Sequence, residues 1–420
     1  MRLRVATAAL VLPTALVVPV VGGVVVAGPA VAAEEDCSAI QEEAPAESTV
    51  ATRESRPLEL MRIREAHEYL RERDVDPGEG ATVAVLDSGV SQRGGVRVTE
   101  AVTATGRSDL ADYHGTAVAG LIAGAPRSPE KPVGIAPAAE ILDVRVYDST
   151  EDGGVSAAGL AAGLRHVLRR GGVDVVNISL RVERDDDVEQ LVEDLWDAGT
   201  IVVAAAGNRP DEDEVPLGPL FASPEPGQDA ANHVFPAGYE RVVAVSATAE
   251  GLPDADESDA SAFVLPNTQT DVAAPVVGAV SVALNGGTCT LDAVATSWAA
   301  AEVSGVLALL RSLHPDATPG QLVSRLLSTA DGRPDVPSPL TGAGVVQPLD
   351  ALRRPVSPAR DGSLDRTTER RDVRAVPPEP EPDTMAGPRR EAVWWGLLGG
   401  GAVLLALVLR PLLARRAPGR

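Results

Sequence analysis

Aromatic side chains are scarce: Phe, Trp and Tyr make up 3% of the 420 residues. Any core must therefore be aliphatic. With 44% hydrophobic residues there is enough Val, Leu, Ile and Ala to build a large one. Positive charge is also short. The net charge is −23, which leaves no basic patch to neutralise phosphates and excludes nucleic acid as an expected partner. Lys131 is the one lysine, so the basic residues are almost all arginine. Cysteine occurs twice, as Cys37 and Cys289, with no CxxC pair. Neither a zinc site nor a thiol redox site is expected. In an exported chain the two cysteines could pair as one disulfide; otherwise they are two thiols. No cofactor and no metal are expected.

The two ends carry the long apolar runs. Arg2 and Arg4 precede an apolar stretch broken by Pro13 and Pro19, and Ala30-Val31-Ala32 gives a small-x-small cleavage pattern. A secretory signal over residues 1–32 is expected, with a retained anchor as the alternative. At the other end Val393 to Leu409 holds no charge, about 25 Å of helix against a hydrocarbon core of about 30 Å. Leu412 and Leu413 extend the span if Arg410 snorkels. Trp394 and Trp395 suit the outer interface, and Arg410, Arg415, Arg416 and Arg420 favour a cytoplasmic C-terminus. These features read as a single-pass transmembrane helix over 391–413 and a cytoplasmic tail over 414–420. Residues 353–390 are rich in Pro, Arg, Asp and Glu without apolar period, and read as a linker. The body, an N-terminal extension over 33–80 and a domain over 81–352, is then extracytoplasmic at the cell membrane.

Within that body, apolar strands alternate with helices. "ATVAVLDSGV", "AEILDVRVYD", "VDVVNISL", "TIVVAAAGN" and "RVVAVSATA" read as strands. "HGTAVAGLIAG", "SAAGLAAGLRHVLRRGG", "DDDVEQLVEDLWDAG" and "ATSWAAAEVSGVLALLRSLHP" read as helices. "TPGQLVSRLLSTA" reads as another, capped by Thr318 with Pro319 at its first position. Near-continuous apolar strands between helices imply an α/β fold: a doubly wound, mostly parallel sheet with helices on both faces. Such sheets bind ligands at the carboxyl ends of their strands.

Four polar residues fall at element ends. Asp87 closes the first strand, His114 opens the next helix, Asn208 closes "TIVVAAAGN" and Ser297 opens the penultimate helix. Each has a plain structural reading. Asp87 could hold a turn, His114 could be a surface residue, Asn208 could follow Gly207 through a left-handed turn, and Ser297 could cap its helix. His67, His233 and His314 lie beside turns or on surface-like helix, and His166 sits among arginines. Taken together the four supply what acyl transfer requires: a hydroxyl, a base, a carboxylate to orient it and an oxyanion donor.

"VAVLDSGV", "HGTAVAGLIAG", "VVNISL", "VVAAAGN" and "ATSWAAAEVSGVLALL" resemble, in order, the signature blocks of the subtilisin-like serine proteases. "GAGVVQPLDAL" resembles the segment that closes that domain. The resemblance spans about residues 57–351. It implies a subtilisin-like fold and peptide-bond hydrolysis, with Asp87 orienting, His114 as base, Ser297 as nucleophile and Asn208 as oxyanion donor beside the Ser297 N–H. The layout of signal, short extension, protease domain, Pro-rich linker and single C-terminal span looks like the mycosins, the actinobacterial proteases of type VII secretion. That likeness implies an extension that stays on and wraps the domain, a Cys37–Cys289 bond that ties it down, exported protein substrates, and the secretion machinery as a partner.

The pattern departs from the family at three places. Ala295 stands where a Gly is usual, and Ala301 where a Pro is usual. Leu180-Arg181-Val182 replaces glycines that line the substrate cleft, as mycosins also tend to, which implies a restricted cleft. The extra cysteine pairs of many mycosins are missing. An acidic insertion follows Asn208; Asp211, Glu212, Asp213 and Glu214 lack EF-hand spacing and read as a solvated loop. An inactive scaffold that keeps the fold and stabilises a secretion complex is the alternative function.

Overall fold

The structure is a computed structural model. It describes residues 35–105, 109–149, 154–212, 214, 216–252, 257–333, 336–364 and 385–414. The stretch read as a secretory signal lies outside them. The described chain falls into two units divided after Asp365.

In the first unit, seven strands form one parallel sheet: β1 Thr82–Asp87, β2 Val98–Thr103, β3 Glu140–Arg145, β4 Val175–Ile178, β5 Ile201–Ala205, β6 Val242–Thr248 and β7 Val272–Pro275. A separate antiparallel pair follows, β8 Ala279–Val282 with β9 Thr288–Leu291. The helices are α1 Arg56–Leu60, α2 Ile63–Arg71, α3 His114–Ala123, α4 Ala157–Arg170, α5 Asp186–Asp197, α6 Gly218–Phe221, α7 Thr296–Leu313, α8 Pro319–Thr329 and α9 Pro348–Arg353. The sheet order is β2-β3-β1-β4-β5-β6-β7. From β1 the chain goes to the edge strand β2, returns to β3 beside β1, then crosses to β4 and winds outward through β7. The direction reverses between β1 and β4, and there a doubly wound sheet opens its crevice.

Every residue of β1, β4 and β5 is buried, because helices cover both faces. Val83 and Val85 pack with α3 and α7 on one side; Ala84 and Leu86 pack with α4 and α5 on the other. Helix α7 is buried from Thr296 through Arg311, as expected for a helix apolar all round. Glu302 sits inside it, fully buried and without a hydrogen-bond partner among the described residues, and burial holds its carboxyl well above the usual range. Thr318 caps α8 through a capping box with Gln321, on the cap position read from the sequence.

The extension shares the core of this unit. Ile63, Ala66 and Leu70 of α2 are fully buried in the same cluster as α3 and α7. His67 corrects its reading as surface-like. It is 3% exposed, and its Nε2–H donates to the Ile135 carbonyl at 2.7 Å. Burial pulls its pKa down to about 4, so the ring stays neutral. Upstream, Thr49 and Glu35 accept hydrogen bonds from Thr288 and Thr290 of β9 at 2.9 and 3.1 Å. Cys37 and Cys289, both buried, are joined as a disulfide across 252 positions of sequence. A loop of that length implies about 5 kcal/mol on chain-entropy grounds, at the top of the usual range. The double variant Cys37→Ala/Cys289→Ala should be at least about 3 kcal/mol less stable than the disulfide-bonded wild type in denaturant unfolding; a loss under about 1 kcal/mol would contradict this. At the other end of the unit, residues 354–363 lie along α8, inside the stretch read as linker. Arg325 donates to the carbonyls of Ala351 and Arg354, and Gln321 to that of Pro358.

In the second unit, α10 Ala386–Ala414 is one helix, long and apolar enough over Ala386–Leu412 to cross a membrane.

Candidate active site

The crevice opens where β1 and β4 end. Asp87, the last residue of β1, is fully buried. Its Oδ1 accepts hydrogen bonds from His114 Nδ1 at 2.8 Å, the Tyr147 hydroxyl at 2.9 Å and the Ser88 N–H at 2.8 Å. His114 reaches it because α3 begins against the strand end. A side chain at Gly115 would put a Cβ 2.5 Å from the Gly89 carbonyl, so only glycine allows this approach. A carboxylate can only accept here, so His114 carries its proton on Nδ1 and leaves Nε2 with a free lone pair. Burial pulls the pKa of His114 down; the Asp87 charge, its hydrogen bond and Asp112 together outweigh that, and the net shift is upward.

Ser297 and Asn208 line the same cleft of about 490 Å³ as His114. Ser297 is 8% exposed, in the first turn of α7. It is not the helix cap. Thr296 is already helical, Ala295 holds the cap position without a side-chain bond, and Ser297 Oγ donates to the Ser179 carbonyl at 3.1 Å. Capping falls to a residue outside the helix: Asn208 Oδ1 accepts from the Thr296 N–H at 2.7 Å and the Thr296 hydroxyl at 2.9 Å. An oxygen held by an N–H must be the amide oxygen, so Asn208 Nδ2 remains for the cleft. The Ser297 N–H has no intrahelical acceptor, as for any first-turn amide. Ala295 sits at φ −143°, ψ 134°, extended backbone that needs no glycine. The departure there leaves the site unstrained.

Asp87 and His114 are therefore in direct contact, and Ser297 and Asn208 face the cleft beside them. The structure records the Ser297 hydroxyl on Ser179 rather than on His114. The Trp298 ring packs against the His114 ring with centroids 4.8 Å apart, so the residue after the serine also fixes the imidazole. Several supporting residues escape a reading by element ends. Tyr147 shares the Asp87 carboxylate. Asn177, fully buried, donates to Ser179 Oγ at 2.9 Å and accepts from Ser304 Oγ at 3.0 Å. Ser179 Oγ donates on to the Ser297 carbonyl at 2.9 Å, which ties β4 to α7. The signals were a polar Asn within an apolar strand and one of only four tyrosines in the chain. Among the described residues no group of His, Cys, Asp or Glu could hold a metal ion.

Comparison with known proteins places the chain in a family. The model of the subtilase family, peptidase S8, matches residues 78–346. Mycosin-1 of Mycobacterium tuberculosis is 33% identical over 385 residues, 82% of this chain and 82% of that one. Alkaline elastase YaB of a Bacillus species is 31% identical over 60% of each chain. Among solved structures, the MycP3 protease from the type VII (ESX-3) secretion system is 30% identical. It covers 71% of this chain and 88% of its own, with a TM-score of 0.55. MycP1 with the N-terminal propeptide removed is 27% identical over 73% of this chain and 100% of its own, with a TM-score of 0.57.

Proposed function

This chain belongs to the subtilase family as a serine protease of the mycosin type, and from that premise we propose that it is an endopeptidase of exported proteins, anchored at the outer face of the cell membrane by α10. One observation carries the catalytic part: the Asp87–His114 bond at 2.8 Å, with His114 Nε2 left free beside Ser297 in one cleft. Ser297 Oγ, turned from Ser179 about its Cα–Cβ bond, attacks the scissile carbonyl. His114 Nε2 takes the hydroxyl proton and later gives it to the leaving amine. Asp87 holds the productive tautomer and stabilises the imidazolium. Asn208 Nδ2 and the Ser297 N–H stabilise the oxyanion. Water then resolves the acyl-enzyme by the same proton path in reverse.

The anchoring rests on a 29-residue helix, longer than the roughly 20 residues a bilayer needs. The link to type VII secretion rests on the likeness to MycP3, a protease from the type VII (ESX-3) secretion system. The scaffold reading draws on one observation, the Ser297 hydroxyl resting on Ser179. A fluorophosphonate probe separates the two. Labelling of the full chain that is lost in Ser297→Ala supports the protease; a folded wild type that takes no label leaves the scaffold. Within the protease reading, Asn208→Ala should lower kcat by about 10²–10³. A twofold loss in steady-state hydrolysis would remove Asn208 from the oxyanion role.

A further inference from the structure

We propose that Arg181 sets the substrate preference of the cleft: its guanidinium binds an acidic side chain of the peptide next to the scissile bond, at the place where Glu214 pairs with it in this structure. This rests on the proposed peptide-cleaving site and names the substrate class it takes.

Arg181 is held close to the chemistry. Two residues before it, Ser179 exchanges hydrogen bonds with Ser297 through both carbonyl and hydroxyl. On either side Leu180 and Val182 are buried, and the Val182 N–H donates to the Phe235 carbonyl at 2.9 Å. With its neighbours pinned inward, Arg181 lies in the wall of the cleft that Ser297, His114 and Asn208 also line. Its recorded ion partner is Glu214 of the acidic insertion, with Nη2 and Oε1 3.2 Å apart. The two partners are unequal. The Arg181 side chain is 26% exposed and that of Glu214 is 51% exposed. A pair this open to water holds weakly and exchanges partners readily. Glu214 is the member that leaves.

The surroundings favour an incoming carboxylate. Arg209 lines the same cleft and donates to the carbonyls of Ser261 and Phe221 and to Gln228 Oε1, while its buried Nη2 has no hydrogen-bond partner among the described residues. Of the acids in the wall, Asp112 is engaged by the His114 N–H at 2.9 Å. A carboxylate that displaces Glu214 therefore meets one guanidinium fork directly and a second cation nearby. Planar guanidinium suits such two-point recognition.

The test uses the full chain in detergent micelles and fluorogenic peptides that differ only in Glu, Gln or Arg at each position beside the scissile bond. At one position kcat/KM should favour Glu over Gln by about tenfold or more. The ratio should fall to about one in Arg181→Gln, return in part in Arg181→Lys, and rise in Glu214→Gln. A purely structural role for Arg181 would move all peptides alike and leave the ratio unchanged. The same peptides are then bound to Ser297→Ala with and without Arg181→Gln, read by fluorescence anisotropy. An acid preference in binding without turnover in the wild type removes the catalytic reading and leaves this one standing. Turnover with equal Glu and Gln ratios, a ratio unchanged in Arg181→Gln, or an Arg preference lost in Glu214→Gln overturns it.

Discussion

Ser297→Ala should lower kcat for peptide hydrolysis by about 10⁶ if Ser297 is the proposed nucleophile, equal to about 8 kcal/mol of transition-state stabilisation. The size follows from how the site is built. In the proposed triad the three act as a unit, so without the hydroxyl His114 has no nucleophile to deprotonate and Asp87 no imidazolium to stabilise. No neighbour replaces it: the nearby Ser179 hydroxyl is committed to the Ser297 carbonyl and accepts from Asn177. The oxyanion donors survive the substitution, so a residual rate of about 10³–10⁴ over water remains. Misfolding does not account for the loss. The substitution removes one hydrogen bond, from Ser297 Oγ to the Ser179 carbonyl, worth about 1 kcal/mol. Single-turnover kinetics beside a thermal melt separate the two effects. A loss below tenfold with an unchanged melt would show that Ser297 is not the nucleophile.

The second large effect is that of Asp87→Asn, about 10⁴ in kcat. Asp87 Oδ1 accepts three hydrogen bonds, one of them from His114 Nδ1. An amide that turns its NH₂ toward the imidazole makes Nδ1 an acceptor and moves the ring proton to Nε2, where it faces the nucleophile as a donor. The imidazole then cannot act as base. The pH profile gives an independent sign. The base works when neutral, so activity is present above the pKa of His114 and is lost as pH falls through it. Burial lowers that pKa, but Asp87 and Asp112 raise it above the ordinary value of 6.5. The acid limb of kcat/KM should therefore lie above 6.5 in the wild type and move down in Asp87→Asn. An acid limb that stays in place would show that Asp87 does not set the charge state of His114.

The parallel sheet could be read from the chain, and a candidate site named, because both leave local marks. Buried parallel strands show as apolar runs, and the residues at their ends stand out against them. What stayed hidden depends on distance in the fold. Strand β2 reads "VTEAVT", half exposed at the edge of the sheet, and carries no apolar run. Strand β7 has four residues and ends in Pro275. Ser297 looked like a cap because a serine ahead of an apolar run usually is one. Asn208, nearly ninety residues upstream, performs that task, and no local pattern reports it. His67 looked exposed because its helix neighbours are charged, while its own side lies under Ile135. Glu302 conflicts with its surroundings in any local reading. It is tolerated as a neutral acid in a helix buried on all sides.

The bond between Cys37 and Cys289 also decides what proteolysis can do to this molecule. A cut at any peptide bond between the two cysteines makes two chains without separating them, since each keeps one half of the bridge. Maturation inside the extension would thus yield a nicked heterodimer of one chain's origin. Its fragments would run apart on a denaturing gel only after reduction. A single cut after Cys37 therefore leaves the extension tethered through Cys289, and its release requires a second cut or reduction of the bridge.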